Sequence, residues 1–150
     1  VTLMFEPGRV IAGNTGVLLT EALWVKPGAK NPFVIVDAAM NDLARPALYD
    51  AFHDFVAVKP TGEKMDAWIV GPVCETGDTF AKDRHIDKVE SGDLAVFRTA
   101  GAYGATMAST YNSRDLVPEI LVDGDKYVSV ADRISAGTIM AAERVPDWID

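Results

Sequence analysis

Short runs rich in branched and aromatic residues, each closed by a turn signal, constrain this chain more than any other feature. They span residues 16–25, 33–37, 55–58, 67–73, 93–98, 119–122 and 127–131. β-Branched and ring side chains favour extended backbone, and most of these runs are too short to be stable helices. The segments Lys26-Pro27-Gly28, Lys59-Pro60-Thr61-Gly62 and Asp123-Gly124-Asp125 have turn chemistry, and the last of them predicts a tight hairpin. This spacing predicts a mainly β fold, an antiparallel β-sandwich or barrel. Two helical pieces are expected, over 41–52 and 135–143, the second with Ser135 as its N-cap.

The chain has 150 residues, of which 49% are hydrophobic and 24% charged, so it can bury the core of a globular domain and is not disordered. Its 14 basic residues are outnumbered by 22 acidic ones and are scattered singly, giving a net charge of −8. That leaves no basic stripe for a phosphate backbone, so nucleic acid is not an expected partner. No apolar stretch approaches the ~20 residues of a membrane span, and no signal segment opens the chain. The single cysteine, Cys74, cannot form an internal disulfide, and two histidines, His53 and His85, make no zinc cluster. No metal is expected, and a reducing cytoplasm is the expected compartment.

Val1-Thr2-Leu3-Met4-Phe5 is a strand-like apolar run, stopped by Glu6-Pro7-Gly8-Arg9. With no initiator methionine, it suggests a strand whose sheet lies in a preceding part of a longer protein. Beyond the break near Arg9 the sequence marks no further boundary and no internal repeat.

Several short segments could carry chemistry. In Glu6-Pro7-Gly8-Arg9 a glycine brings backbone N–H groups close to a phosphate, and an arginine binds anions bidentately; an ordinary turn with a solvated arginine fits equally. Arg45 and Tyr49, four apart, can grip one carboxylate by guanidinium and hydroxyl, although Pro46 pushes Arg45 toward the loop before the helix. The alternative is Arg45 paired with a nearby aspartate and Tyr49 half-buried. In Gly71-Pro72-Val73-Cys74-Glu75-Thr76-Gly77-Asp78 an apolar strand runs into a thiol and two carboxylates. A lone cysteine is commonly a small buried hydrophobe, but this one is followed at once by polar loop residues. A thiol, with an ordinary pKa of about 8.5, is a proton donor at neutral pH. Ala100-Gly101-Ala102-Tyr103-Gly104 sets a tyrosine between glycines, suited either to touch a flat ligand or to plug the core. Tyr111-Asn112-Ser113-Arg114 reads as a turn.

Taken in order, these segments, with Ala81-Lys82-Asp83-Arg84, resemble the C-terminal portion of the diaminopimelate decarboxylase family over residues 5 to about 130. The family comprises pyridoxal-phosphate enzymes of the alanine racemase-like fold type, homodimers with an N-terminal (β/α)8 barrel and a C-terminal β domain. The resemblance implies that 1–10 ends the barrel, with a fragment of its last strand, and that 11–150 is the β domain. It implies decarboxylation of meso-2,6-diaminopimelate to L-lysine and CO2, the last step of lysine biosynthesis. The Schiff-base lysine would lie outside this chain, which alone would be inactive.

Residue by residue, Glu6, Pro7, Gly8 and Arg9 match the cofactor-binding loop, and Arg9 also matches a substrate-binding arginine. Arg45 and Tyr49 match residues for the distal carboxylate, and Glu75 matches the group facing the distal ammonium. Tyr103 matches a tyrosine touching cofactor and substrate. Cys74 looks like the general acid, reaching the active site of the opposite subunit. Thr76 departs from the serine of many relatives. Decarboxylases of ornithine, arginine and carboxynorspermidine share the fold, and a non-catalytic capping or dimerisation domain is the other alternative.

Overall fold

A computed structural model describes residues 1–149. These divide into two compact units, Val1–Met107 and a second beginning at Ala108.

In the first unit, β1 (Leu18–Lys26), β2 (Phe33–Val36), β3 (Phe55–Ala57), β4 (Lys64–Val70), β5 (Thr79–Asp87) and β6 (Leu94–Phe97) build a six-stranded sheet in the order β3-β6-β1-β2-β4-β5. The Ala57 N–H of β3 donates to Asp87 Oδ2 of β5 at 3.3 Å, joining the two edge strands and nearly closing the sheet into a barrel. The alternation read from the sequence decides which side chains fill it. Phe55 and Ala57, Ala95 and Phe97, Val34 and Val36, Ala67 and Ile69 all point inward and are buried. Phe97 sits at the centre, 5.1 Å from Phe55 edge-on and 4.4 Å from Phe80, ring centre to ring centre. Alanines on the neighbouring strands leave room for these rings.

Two features depart from a simple antiparallel barrel. Pairing between β2 and β4 is parallel, with Phe33 opposite Trp68 and Ile35 opposite Val70. β5, which the sequence reading does not mark, is the second. Its middle, Lys82-Asp83-Arg84-His85, is charged and hides the strand period. Register jumps there from Ala67 opposite Arg84 to Ile69 opposite Ala81, and Asp83 has φ +46°. This bulge is pinned by the Asp83 carboxylate, whose Oδ1 accepts from Trp68 Nε1 at 3.0 Å and Asn31 Nδ2 at 2.6 Å. The Trp68 bond, then Lys30 at 3.2 Å, holds that carboxyl below the usual carboxylate range.

The second unit contains the hairpin of β7 (Glu119–Asp123) and β8 (Lys126–Ala131), turned through Gly124 at φ +62°, as its turn chemistry predicts. Ser135 is the N-cap, its Oγ accepting the Thr138 N–H at 3.1 Å. The helix itself is shorter than expected, at Ala136–Met140.

The helix expected over 41–52 contracts to Arg45–Tyr49, with Pro46 in its first turn and Asp50 as its C-cap in the left-handed conformation at φ +51°. A second short helix, Arg9–Ala12, and a 3-10 turn, Gly13–Thr15, follow the N-terminal segment. These three helices are α1 (Arg9–Ala12), α2 (Arg45–Tyr49) and α3 (Ala136–Met140). Val1–Phe5 lies exposed in no regular element, because no strand among the described residues offers its backbone a ladder. No helix among the described residues is long and apolar enough to cross a membrane.

Truncating the central ring should expose how much of the unit rests on it. Phe97→Ala is expected to cost about 3–5 kcal/mol and Leu19→Ala, at an exposed position, under about 1 kcal/mol, both read from urea unfolding midpoints.

Candidate active site

Three loops of the first unit carry the candidate residues, and each is held by a different physical device. The loop after β2 is itself buried: Ala38, Ala39, Asn41, Asp42 and Leu43 are each at most 5% exposed. A buried loop must satisfy its own backbone, and this one does so with side chains. Thr20 donates its hydroxyl to Asp37 Oδ1 at 2.5 Å and accepts the Ala38 N–H at 3.1 Å. Asp42 Oδ2 accepts the Ala39 N–H at 2.8 Å. That knot delivers the chain into α2, whose first residue is Arg45; proline follows as the second, so the helix opens one residue earlier than the proline rule suggests.

Arg45 and Tyr49 share a face of α2, with the guanidinium carbon 5.5 Å from the Tyr49 ring centre. The same carbon lies 5.3 Å from the ring centre of Tyr103, so the cation has tyrosines to two sides. Tyr103 gets there through backbone that only small neighbours allow. Its own φ is +60°, and side chains on Gly101 or Gly104 would overlap the carbonyls of Ala12 and Ala100. The ring is not a core plug: Tyr103 is 46% exposed, and its hydroxyl lies 3.8 Å from where a Cβ on Gly8 would sit. Gly8, Tyr103, Arg45 and Tyr49 thus form one connected surface. Glu6, Pro7 and Arg9 lie exposed beside Gly8. A phosphate needs open backbone N–H groups and a cation, and a flat ring needs an aromatic neighbour; Gly8 with Arg9 and Tyr103 fit a group carrying both.

His53, in the loop between α2 and β3, stands behind this surface at 5% exposure. Its Nδ1 lies 2.9 Å from the Arg98 carbonyl. Burial, above all, and the nearby charges of Arg45 and Arg9 hold its pKa below the ordinary histidine value, against the opposing pull of the carbonyl bond.

The cysteine loop, between β4 and β5, hangs on one carboxylate. Asp78 is 3% exposed; its Oδ2 accepts the Val73 N–H at 2.7 Å and its Oδ1 the Met40 N–H, also at 2.7 Å. The first bond closes the loop and the second ties it to the loop that leads into α2. Gly71 must be glycine, because a Cβ there would overlap the Asp78 carboxylate. Backbone bonds Gly71 N–H to Asp78 O, at 3.0 Å, and Asp78 N–H to Glu75 O, also at 3.0 Å, complete the frame. On it Cys74 stands exposed. Glu75 Oε1 accepts the Gly77 N–H at 2.9 Å, which leaves Oε2 for a ligand.

The expected residues therefore fall into two patches. No hydrogen bond, ion pair or ring contact among the described residues links Cys74 or Glu75 to Arg9, Arg45, Tyr49 or Tyr103. Sequence reasoning did not weigh Asp78 and His53 as supports. The only local trace of the first is a glycine and an aspartate flanking the cysteine, and His53 has none. No group of three or more metal-ligating side chains occurs among the described residues.

Asp78→Asn keeps the shape but replaces one acceptor with an N–H donor, facing one of two buried N–H groups. It should lower stability by about 1–3 kcal/mol in denaturant unfolding, whereas Asp66→Asn, at an exposed pair with His85, should cost under about 1 kcal/mol.

The sheet domain and its loops have close counterparts. A family model described as pyridoxal-dependent decarboxylase, C-terminal sheet domain, matches residues 10–101. Diaminopimelate decarboxylase of Zymomonas mobilis is 51% identical over 147 residues, 98% of this chain and 35% of that protein. The crystal structure of diaminopimelate decarboxylase from M. jannaschii superposes with a TM-score of 0.90 at 36% identity, over 95% of this chain and 33% of that one. The Helicobacter pylori enzyme, solved complexed with L-lysine, gives 0.83 at 42% identity, over 91% of this chain and 34% of that one. The chain spans about a third of the length of the curated relatives it matches. By fold and by sequence it belongs to the pyridoxal-dependent decarboxylases, as their C-terminal sheet domain.

Proposed function

We propose that the protein to which this chain belongs is a diaminopimelate decarboxylase, converting meso-2,6-diaminopimelate to L-lysine and CO2 as the last step of lysine biosynthesis in the cytoplasm. The observation that carries this reading is the arrangement of charge for a substrate with an amino-acid head at each end: Arg45 between two tyrosines, and Glu75 beside an exposed thiol. The half-and-half chemistry agrees with the relatives named diaminopimelate decarboxylase and with the lysine held by the H. pylori enzyme.

In this reading residues 1–10 end an N-terminal barrel that holds the Schiff-base lysine, and 11–150 are the β domain. The backbone of Gly8, with Glu6, Pro7 and Arg9 around it, holds the cofactor phosphate, and Tyr103 borders the cofactor and the substrate. Pyridoxal phosphate, when bound, supplies the electron sink for loss of CO2. Arg45 and Tyr49, with Arg9, bind carboxylate, and Glu75 faces the distal ammonium. As the bond to the departing carboxylate breaks, the Cys74 thiol delivers a proton to the α-carbon in its place and regains one from solvent. The lack of direct contact between the two patches within one chain agrees with a homodimer with shared active sites, in which Cys74 and Glu75 of one subunit complete the site that contains Arg9 of the other.

The test is CO2 release by the full-length protein with pyridoxal phosphate, offered meso-diaminopimelate, ornithine, arginine and carboxynorspermidine in turn. Release from the first alone, with lysine as product, is expected. Release from another would overturn the substrate, and none from any would make the chain a non-catalytic module. Cys74→Ala in that protein should cut turnover by about 10²- to 10⁴-fold with unchanged thermal stability, since the side chain is exposed.

A further inference from the structure

Two polar atoms in the first patch are buried and have no hydrogen-bond partner, Arg45 Nε and His53 Nε2. They are complementary in kind. A backbone carbonyl can only accept, so the Nδ1 of His53, 2.9 Å from the Arg98 oxygen, carries the ring proton. In a neutral ring, Nε2 is then a bare acceptor. Arg45 Nε carries an N–H and can only donate.

We infer that His53 is a positioning residue for Arg45: its Nε2 lone pair takes the Arg45 Nε–H through one bridging water, and so turns the outer edge of the guanidinium toward a bound carboxylate. This rests on the proposed role of Arg45 toward the substrate.

The surroundings keep the ring in the form this role needs. His53 is buried, and cations face it from more than one element: Arg45 from α2 and Arg9 from α1 both disfavour a charged imidazole. Arg84 of β5 donates from Nη1 to the His53 carbonyl at 3.1 Å, its guanidinium 4.1 Å from the Phe52 ring centre. The Arg98 guanidinium is turned to Asp54, 3.8 Å away. With three cations near and the Asp54 carboxylate engaged by Arg98, a second proton on the ring would gain little. In this role Arg45 is two-sided: Nε serves the imidazole, while the two terminal nitrogens stay available for a bidentate grip.

Two measurements on the full-length protein test it. In the first, nitrogen NMR with labelled histidine should find His53 neutral at pH 7 with the proton on Nδ1, and Arg45→Met should raise its titration midpoint. A ring protonated on Nε2 would overturn the inference whatever the enzyme's activity proves to be. The second is kinetic, with the substrate that the full-length protein accepts. His53→Leu should raise KM about tenfold and change kcat under about twofold, because a positioning residue for a binding arginine acts on ground-state and transition-state binding alike. His53→Gln, which keeps an acceptor and does not titrate, should restore part of the loss and flatten the rise in KM expected of the unsubstituted protein as pH falls below the histidine range. In an Arg45→Lys background, which lacks the Nε–H, His53→Leu should add nothing further. An equal effect of His53→Leu in both backgrounds would assign His53 a packing role only and overturn the inference. Absence of activity toward every substrate would sink the proposed function and leave the NMR result to decide this one.

Discussion

The site depends on one buried carboxylate. Asp78 accepts backbone N–H groups from Val73 and Met40, on two loops 33 residues apart in sequence. An aspartate is short, so its two oxygens can serve two chains only if both come within a few ångströms, and Gly71 provides that space by having no side chain. The bonds are charge-assisted and shielded from water, where they are stronger than their counterparts at the surface. What they fix is the placement of the loop bearing Cys74 against the loop that leads into α2.

The barrel beneath serves that placement. β2 and β4 run parallel, so the loops that follow them leave the sheet at the same end, and these are the loops that Asp78 joins. An all-antiparallel meander would have sent them to opposite ends. The closing contact from Ala57 to Asp87 and the ring stack around Phe97 make the support stiff. The bulge at Asp83 changes the phase of β5, so that Ala81 before it and Ile86 after it, an odd number of residues apart, are both buried, and Arg84 between them is half-buried and reaches toward His53.

How much of this is legible in the sequence depends on the range of the interaction. Strand alternation is local, and the runs around Phe33, Phe55 and Phe97 fall where their period puts them. The Gly124 hairpin and the Ser135 cap are local too, and both form as their residue chemistry requires. β5 escapes because Lys82 to His85 break the pattern, and the reason for the break, a bulge held by Trp68 and Asn31, involves residues distant in sequence. The helix over 41–52 is overdrawn because its first three residues, Asn41 to Leu43, are buried in a loop whose preceding residues are bonded to Thr20 and Asp78, a competitor no helical propensity reveals. In the site, Arg45, Tyr49, Cys74, Glu75 and Tyr103 emerge from short motifs and their order, whereas Asp78 and His53 work through partners far along the chain and leave almost no local mark.

The exposure of Cys74 has a chemical cost beyond the proton it can give. In the isolated chain, a thiol exposed on this loop is as open to peroxide as to substrate. Oxidised once, its sulfur can be recovered by cellular thiols; oxidised to the sulfinic acid, it has lost its thiol proton and, outside a few specialised repair systems, stays so. With no second cysteine in this chain to trap the first oxidation product as an internal disulfide, the group that makes this loop useful is also one that oxidation can disable.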